Sequence, residues 1–396
     1  MSGTKHVVDL GPRAELAPLF SYPANCHEVC FLPQTLEDTI RLYIRASLDR
    51  DLFHASSVAV RANGDRILAE ISGDAAAPYA NMLPRFLAAG ALGLTASRQL
   101  NADNKWRYNW RFLLPLGLPM VRHRTVQLLH FPPDYVLSRD QDYLAAHTTT
   151  RWAELLTVNG VAATDTSLYQ NIVDIAPIAA PSDDGRNLEG VYAYYTDYIT
   201  GLLRLWLPTS TKAVRPMVAF GSPVRDWLKT HGHASLKVMA VGTATVAGDL
   251  QAPTLAANHP SFIYNAAERL SDDPKTAEDE RLPVLAHIMR EDLIAANWQV
   301  LMGATPEADP KATLDACAAR WTDAARQQDI YDLTRQQVLQ KTPQTSRLAL
   351  RFPQPSATFL SLTHEPAQRK RLDDKVAALR EELGALDGRE PHDIVA

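Results

Sequence analysis

Short apolar runs alternate with polar turns and helical stretches through the middle of the chain. Five of these runs are predicted to be strands, at residues 125–130, 168–175, 217–220, 236–241 and 253–257. The run at 168–175 is largely apolar, which is typical of a parallel strand buried on both faces. The pattern predicts an α/β fold, with a central parallel β-sheet flanked by helices between residues 121 and 305.

Helical periodicity separates and follows these strands. It is found at residues 150–156, 191–205, 222–228, 281–301, 310–339 and 368–386. Ser222 is expected to cap the third of these helices, with Pro223 at its first position, where a missing N–H costs nothing. The last helix is charged with one apolar stripe, and it is expected to pack either on the body of the protein or on a partner.

These elements divide the chain into three regions. Residues 1–120 are predicted to form an N-terminal α+β region for DNA or substrate recognition, with a strong hairpin signal at Asn63-Gly64. Residues 121–305 are predicted to form the α/β core, and residues 306–396 a helical C-terminal extension.

Polar or turn-forming residues stand where the predicted strands end. They are His130, Asp174, Gly221 and Asn258. The carboxyl ends of parallel strands meet at one edge of a sheet, and α/β proteins bind their ligands there. We therefore expect a binding site at this edge.

The composition bears on partners and cofactors. The net charge of -5 gives no overall attraction to nucleic acid, so DNA binding would need a local basic patch. The chain has 3 cysteines, Cys26, Cys30 and Cys317, too few for a disulfide framework, which indicates a reducing, cytoplasmic environment. No metal, dinucleotide or P-loop motif is present, so we expect no cofactor and no metal. No apolar run reaches about 18 residues and no signal peptide is evident, so we expect no membrane association.

A candidate basic patch lies at residues 105–111. Here Lys105, Arg107 and Arg111 alternate with tryptophan and tyrosine, a combination that suits base stacking and phosphate contacts. An exposed hairpin strand whose aromatic side chains pack on the core would give the same pattern. Lys105 and Arg107 are candidate DNA contacts under the first interpretation.

Three motifs, in sequence order, resemble the uracil-DNA glycosylase superfamily. Residues 171–177 (NIVDIAP) are similar to its Asn-bearing strand, 218–224 (VAFGSPV) to its strand–helix joint, and 258–261 (NHPS) to its His-Pro-Ser loop. The resemblance covers about residues 125–303. It implies a three-layer glycosylase-like core and DNA as the partner.

The resemblance also implies catalytic roles. Asn171 would hydrogen-bond the extruded base, and His259 would stabilise the negative charge that develops on the departing base. Asp134, or alternatively Asp174, would orient the hydrolytic water.

Further contacts follow from the same resemblance. Phe131 and Tyr135 would stack on the base, and Phe262 or Tyr264 would enter the DNA groove as a wedge. The other implied DNA contacts are Arg186, Ser222 and Ser261.

The first family motif is altered in this chain. His130 stands where the family has Gly, and Phe131 or Pro132 stands where the acidic residue is expected. The alteration suggests that the substrate is a base other than uracil.

We therefore expect a DNA glycosylase that flips a damaged or modified base out of DNA and hydrolyses its N-glycosidic bond, leaving an abasic site. Modified bases of foreign DNA, such as phage genomes, are candidate substrates in antiviral defence. Two alternatives stay open: a catalytically silent glycosylase-fold module that binds DNA or protein, and an α/β hydrolase of free nucleosides.

Overall fold

The computed structural model describes residues 123–130, 147–177, 189–208, 213–246, 248–273, 276–339 and 366–383, with isolated positions between 85 and 103. The predictions made for the N-terminal region, including the hairpin at Asn63-Gly64 and the thiols of Cys26 and Cys30, lie outside these residues.

The strands form a single sheet. They are β1 (Val126–Leu129), β2 (Ile172–Asp174), β3 (Met217–Phe220), β4 (Val241–Val246) and β5 (Leu250–Ala257). Their order across the sheet is β2-β1-β3-β5-β4. All neighbours pair in parallel except β4, which is antiparallel to β5. The predicted α/β fold, with a sheet flanked by helices, is confirmed, but the sheet that was predicted to be parallel is only mostly parallel because β4 is antiparallel.

Helices account for most of the remaining described residues. They are α1 (His147–Val158), α2 (Glu189–Trp206), α3 (Gly221–His231), α4 (Phe262–Asp272), α5 (Glu278–Ala304), α6 (Pro310–Thr322), α7 (Gln327–Thr334) and α8 (Pro366–Leu383). The stretch 310–339, predicted as one helical run, is divided because residue 323 adopts an extended conformation after α6.

Helices cover both faces of the sheet. In β3, Val218 and Phe220 belong to a large apolar cluster that also contains residues of α1, α4 and α5. Met217 and Ala219 are equally buried but lie outside that cluster, because successive side chains of a strand point to opposite faces. The helices α2 and α3 pack on the strands and supply buried residues that also lie outside the cluster.

Two predicted elements differ from the structure. Residues 236–241 were expected to form a strand, but residues 235–240 lead into β4, which begins at Val241, and Met239 has a positive φ that no regular strand accommodates. Likewise, Ser222 does not cap α3: the helix begins one residue earlier, at Gly221 with φ 81°, and Phe220 takes the cap position.

The strand β2 is shorter than the apolar run at 168–175 predicts. Residues Ala163–Leu168 form a 3₁₀ helix, and β2 begins only at Ile172. Tyr169 is held at this point, since its carbonyl accepts hydrogen bonds from Thr125 Oγ1 at 2.9 Å and Gln299 Nε2 at 2.6 Å. Asn171 therefore lies before the strand, not at its end.

The last helix packs on the body of the protein. The apolar side chains of Val376, Leu379 and Leu383 join the same buried cluster as β3 and α5. Ion pairs with α4 and α5 surround this contact, including Lys375 with Glu280 at 2.9 Å. The sequence allowed this helix to pack either on the body of the protein or on a partner, and in the structure it packs on the body.

Two properties of the described residues limit the kinds of site to consider. None of their helices combines the length and apolar character that crossing a membrane requires. They also contain no group of three or more His, Cys, Asp or Glu side chains arranged to hold a metal ion. Cys317 is a free, buried thiol, and burial raises its pKa to about 11.

Candidate functional site

The carboxyl ends of the parallel strands lie side by side. The register pairs Leu129 with Asp174 and Phe220 with Ala257, and it pairs Leu128 with Ala219, so these strand ends form one row. The chain leaves β1 toward β2 on one side and β3 toward β5 on the other. The crevice between β1 and β3 is therefore the topological switch point at which open α/β sheets bind ligands.

His259 lies just beyond β5 at this edge, and its hydrogen bonds select one tautomer of the neutral ring. The backbone N–H of Ser261 donates to Nδ1 at 3.2 Å, and Ser261 Oγ lies 2.7 Å from the same atom. Since a backbone N–H can only donate, Nδ1 accepts, and the proton of the neutral ring is on Nε2. The side chain is only 4% exposed.

Burial, together with the smaller effects of the positive charges of His130 and Arg151, lowers the pKa of His259 to about 3. At neutral pH the ring is therefore an uncharged imidazole that presents an Nε2–H donor. Such a group polarises an oxygen or stabilises an anion without first having to lose a proton.

The buried imidazole predicts a particular dependence of stability on pH. As the pH falls from 6.5 toward 3, the unfolded state takes up a proton that the folded state does not, so the free energy of unfolding decreases. Between pH 7 and pH 4 this amounts to roughly 3 kcal/mol. A His259→Gln variant should lose about that much of the pH dependence in urea unfolding.

A matched control for this measurement is His233→Gln, because His233 is exposed. Other titrating groups, such as Asp292 with its raised pKa, contribute equally to the pH dependence of unfolding in all three proteins, so their contributions cancel in the comparison. Equal pH dependence in the wild type and His259→Gln would show that His259 takes up its proton as readily in the folded state as in the unfolded state.

His130 and Tyr192 line the switch point beside His259. The Tyr192 hydroxyl is hydrogen-bonded to Nε2 of His130, and the two ring centroids are 5.6 Å apart. His130 is buried at the end of β1, whereas Tyr192 projects from the second turn of α2. His130 was singled out from the sequence as a strand-end residue and as a departure from the family motif, but Tyr192 was given no functional role.

A buried ion pair supports the loop that carries His259. Arg151 of α1 bonds Asp292 of α5 at 2.6 Å and donates to the Pro260 carbonyl at 2.9 Å. The two charged side chains are 0% and 1% exposed. Burial raises the pKa of Asp292 to about 6, and Arg151 acts in the opposite direction. Asp292 is therefore ionised at neutral pH.

The preceding loop residue, Asn258, is also fixed by its side chain. Its Nδ2 donates to Glu291 at 3.0 Å and to Asp292 at 3.4 Å. Its Oδ1 accepts from Nε of Arg380 in α8 at 2.8 Å. The loop is thus held on both sides of His259, at residues 258 and 260.

The structure separates Asn171 from His259. Asn171 precedes β2 and lies level with Val126, Met217 and Thr254, at the amino ends of the strands. His259 is five residues beyond Thr254 and three strands away, which places the two Cα atoms roughly 20 Å apart. The prediction that both residues act on one extruded base is therefore wrong. The 3₁₀ helix before Asn171, which delays the start of β2, is the reason.

The segment after His259 does not project from the protein. Phe262 and Tyr264 are 1% and 2% exposed and belong to the apolar cluster under the sheet. Their predicted role as a wedge in DNA is wrong, because the first turn of α4 turns them inward. Ser261 is fully buried and bonds His259. Ser222 is half-buried in the first turn of α3, at the switch point.

Asp174 lies where the sequence places it, at the carboxyl end of β2 and in the same row as Phe220 and Ala257. The other predicted site residues lie outside the described residues, and their roles stay predictions. They are Phe131, Asp134, Tyr135, Arg186, Lys105 and Arg107.

Comparison with protein-family models, with characterised proteins and with solved structures gives no match for this chain. The site must therefore be interpreted from its own residues.

Proposed function

We propose that the protein is a DNA glycosylase that hydrolyses the N-glycosidic bond of a damaged or modified base flipped out of DNA. The observation that carries the proposal is the neutral, tautomerically fixed His259 at the carboxyl edge of the sheet. In this reaction the base leaves with negative charge while the sugar develops positive charge. A fixed N–H donor inside a buried site stabilises such a leaving group more strongly than water does.

Asp174 supplies the second part of the mechanism. The backbone at Asp174 ends β2, about three strand spacings or roughly 14 Å from the end of β5. The side chains of Asp174 and His259 would approach a nucleotide that lies between them over β1 and β3, with its base toward His259 and its sugar toward Asp174. There the carboxylate orients the attacking water and stabilises the positive sugar. Asp134 remains the alternative for this role.

The switch point gives a reason to propose a base other than uracil. His130, buried and bonded to Tyr192, occupies the position where the resembling family has glycine. A bulky polar side chain changes the shape and hydrogen bonding of the base pocket. Modified bases of foreign DNA, such as those of phages, are therefore our proposed substrates.

A specific observation favours a second candidate, a catalytically silent module that binds DNA or a protein. The segment that would insert into DNA is buried from Asn258 to Asn265. A fold that has lost its inserting loop would still offer the carboxyl edge as a binding surface. The two candidates differ in whether wild-type protein produces abasic sites.

The test is abasic-site formation on single- and double-stranded DNA carrying uracil, an alkylated purine or a 5-substituted pyrimidine. Asp174→Asn should slow single-turnover base release about 100-fold, the lower range for a positioned general base. Asp197→Asn, which changes an exposed carboxylate on α2, is the matched control.

Wild-type activity together with full activity of Asp174→Asn would remove Asp174 from the mechanism. DNA binding by a wild type that cuts none of these substrates would support the silent module instead. Release of bases from free nucleosides alone would indicate a nucleoside hydrolase.

A further inference from the structure

The C-terminal helix α8 reaches the loop that carries His259. Arg380 donates from Nε to Asn258 Oδ1 at 2.8 Å and also bonds Glu291 of α5. Asn258 is adjacent to His259 in the chain. Among the described residues of α8, Arg380 is the one that bonds the loop between β5 and α4.

Arg380 completes a charge-balanced network around Asn258. Two arginines, Arg151 and Arg380, face two carboxylates, Glu291 and Asp292. Asn258 joins the two pairs, since its amide nitrogen donates to both carboxylates and its amide oxygen accepts from Arg380. Removing Arg380 leaves two neighbouring carboxylates with one arginine and leaves the Asn258 oxygen without its donor.

Several contacts besides that of Arg380 dock α8 on the body of the protein. Arg371 and Lys375 pair with Glu280, Glu382 pairs with Arg269, and the helix buries an apolar stripe against the body. These contacts hold the helix in place whether or not Arg380 bonds the loop. Arg380 differs from the residues of these ion pairs because it also bonds Asn258, and it therefore helps to fix the loop that carries His259.

We propose that Arg380 is a positioning residue that fixes the orientation of His259 through Asn258, so that the C-terminal helix is a functional part of the catalytic edge. This inference rests on the proposed glycosylase function for its effect on rate. Its effect on the His259 ring is independent of that function.

The rate experiment compares Arg380→Met with Arg371→Met. Both remove an arginine of α8 that pairs with a glutamate of α5, but Arg371 is 65% exposed and does not touch the loop. Arg380→Met should lower the single-turnover rate of base release by about 10- to 100-fold, as for a misplaced catalytic group, with DNA affinity changed less than about twofold. Arg380→Lys, which retains the charge but not the forked geometry, should recover part of the rate.

The second readout is the nitrogen NMR spectrum of the His259 ring. The wild type and Arg371→Met should show one Nε2–H tautomer that does not titrate above pH 5. Arg380→Met should show exchange between tautomers or a pKa closer to the ordinary value of a histidine. If Arg380→Met does not fold, Asn258→Ala removes the same contact from the loop side and should give the same result.

The outcomes separate the two proposals. If Arg380→Met matches Arg371→Met in both rate and ring spectrum, Arg380 does not position His259, whatever the wild type cleaves. If the wild type releases no base but Arg380→Met changes the ring spectrum as expected, the positioning role of Arg380 is supported and the glycosylase function is contradicted.

Discussion

Replacing Arg151 with methionine is expected to lower the free energy of unfolding by about 3–5 kcal/mol, because it leaves a buried carboxylate without its cation. Arg151 and Asp292 are 2.6 Å apart and almost completely excluded from solvent. The expected loss is the cost of leaving the Asp292 carboxyl buried without its cation, whether it stays charged or takes up a proton, and not the intrinsic strength of the ion pair. Urea unfolding at pH 7 measures it.

Two further variants check this explanation. Arg151→Met combined with Asp292→Asn removes the stranded charge while keeping an acceptor for Asn258, so it should recover at least half of the loss. Arg326→Met breaks an ion pair whose members are 45% and 54% exposed, and it should change the free energy of unfolding by less than about 1 kcal/mol. A loss below about 1 kcal/mol for Arg151→Met would contradict the prediction.

The pH dependence of the Arg151→Met effect follows from the same geometry. The pKa of Asp292 is about 6 even with Arg151 present, and without the guanidinium it is higher still. Below that pKa the carboxyl is protonated in the folded variant and no longer strands a charge. The difference in unfolding free energy between the wild type and Arg151→Met should therefore be smaller at pH 5 than at pH 7.

Local patterns were sufficient to predict much of the fold. The strand β3 and the helix α5 are encoded by continuous or periodic apolar residues, and both were predicted close to their observed bounds. The strand β4 was missed because it lies at the edge of the sheet and contains small residues, such as Gly242-Thr243-Ala244, in place of a continuous apolar run. The strand was predicted instead at the preceding apolar run, which begins at Leu236.

The candidate site was predictable only in part. Asp174 was singled out because it ends an apolar run, and His259 because residues 258–261 resemble the His-Pro-Ser loop of the glycosylase superfamily. Arg151, Asp292 and Arg380 were missed because their contacts join distant parts of the chain, with separations of 141 residues between Arg151 and Asp292 and 122 between Arg380 and Asn258. Nothing in the local sequence marks such pairs.

One of the wrong predictions had a contrary signal in the sequence. Phe262, Ile263, Ala266, Ala267 and Leu270 recur at helical spacing, so the pattern indicates one buried face of a helix. That periodicity favours core packing of Phe262 over insertion into DNA. For Asn171 the sequence contained no comparable warning, since the bonds from Thr125 and Gln299 that hold Tyr169 ahead of β2 join distant parts of the chain.

Replacing His259 with alanine is expected to slow base release by about 10²- to 10³-fold, the effect of removing one oxyanion-type donor. The substitution deletes the neutral Nε2–H donor that the Ser261 amide fixes at the carboxyl edge. DNA affinity should be nearly unchanged, because the ring is uncharged and buried and makes no contribution to phosphate binding. Single-turnover base release on a DNA that the wild type cuts is the measurement.

His231→Ala, at the far end of α3 from the switch point, is the control for His259→Ala and should retain the wild-type rate. A fast His259→Ala variant would place the catalytic donor elsewhere. A variant slowed to the same extent at every pH from 5 to 8 would support the neutral imidazole, because a group with a pKa of about 3 does not titrate in that range.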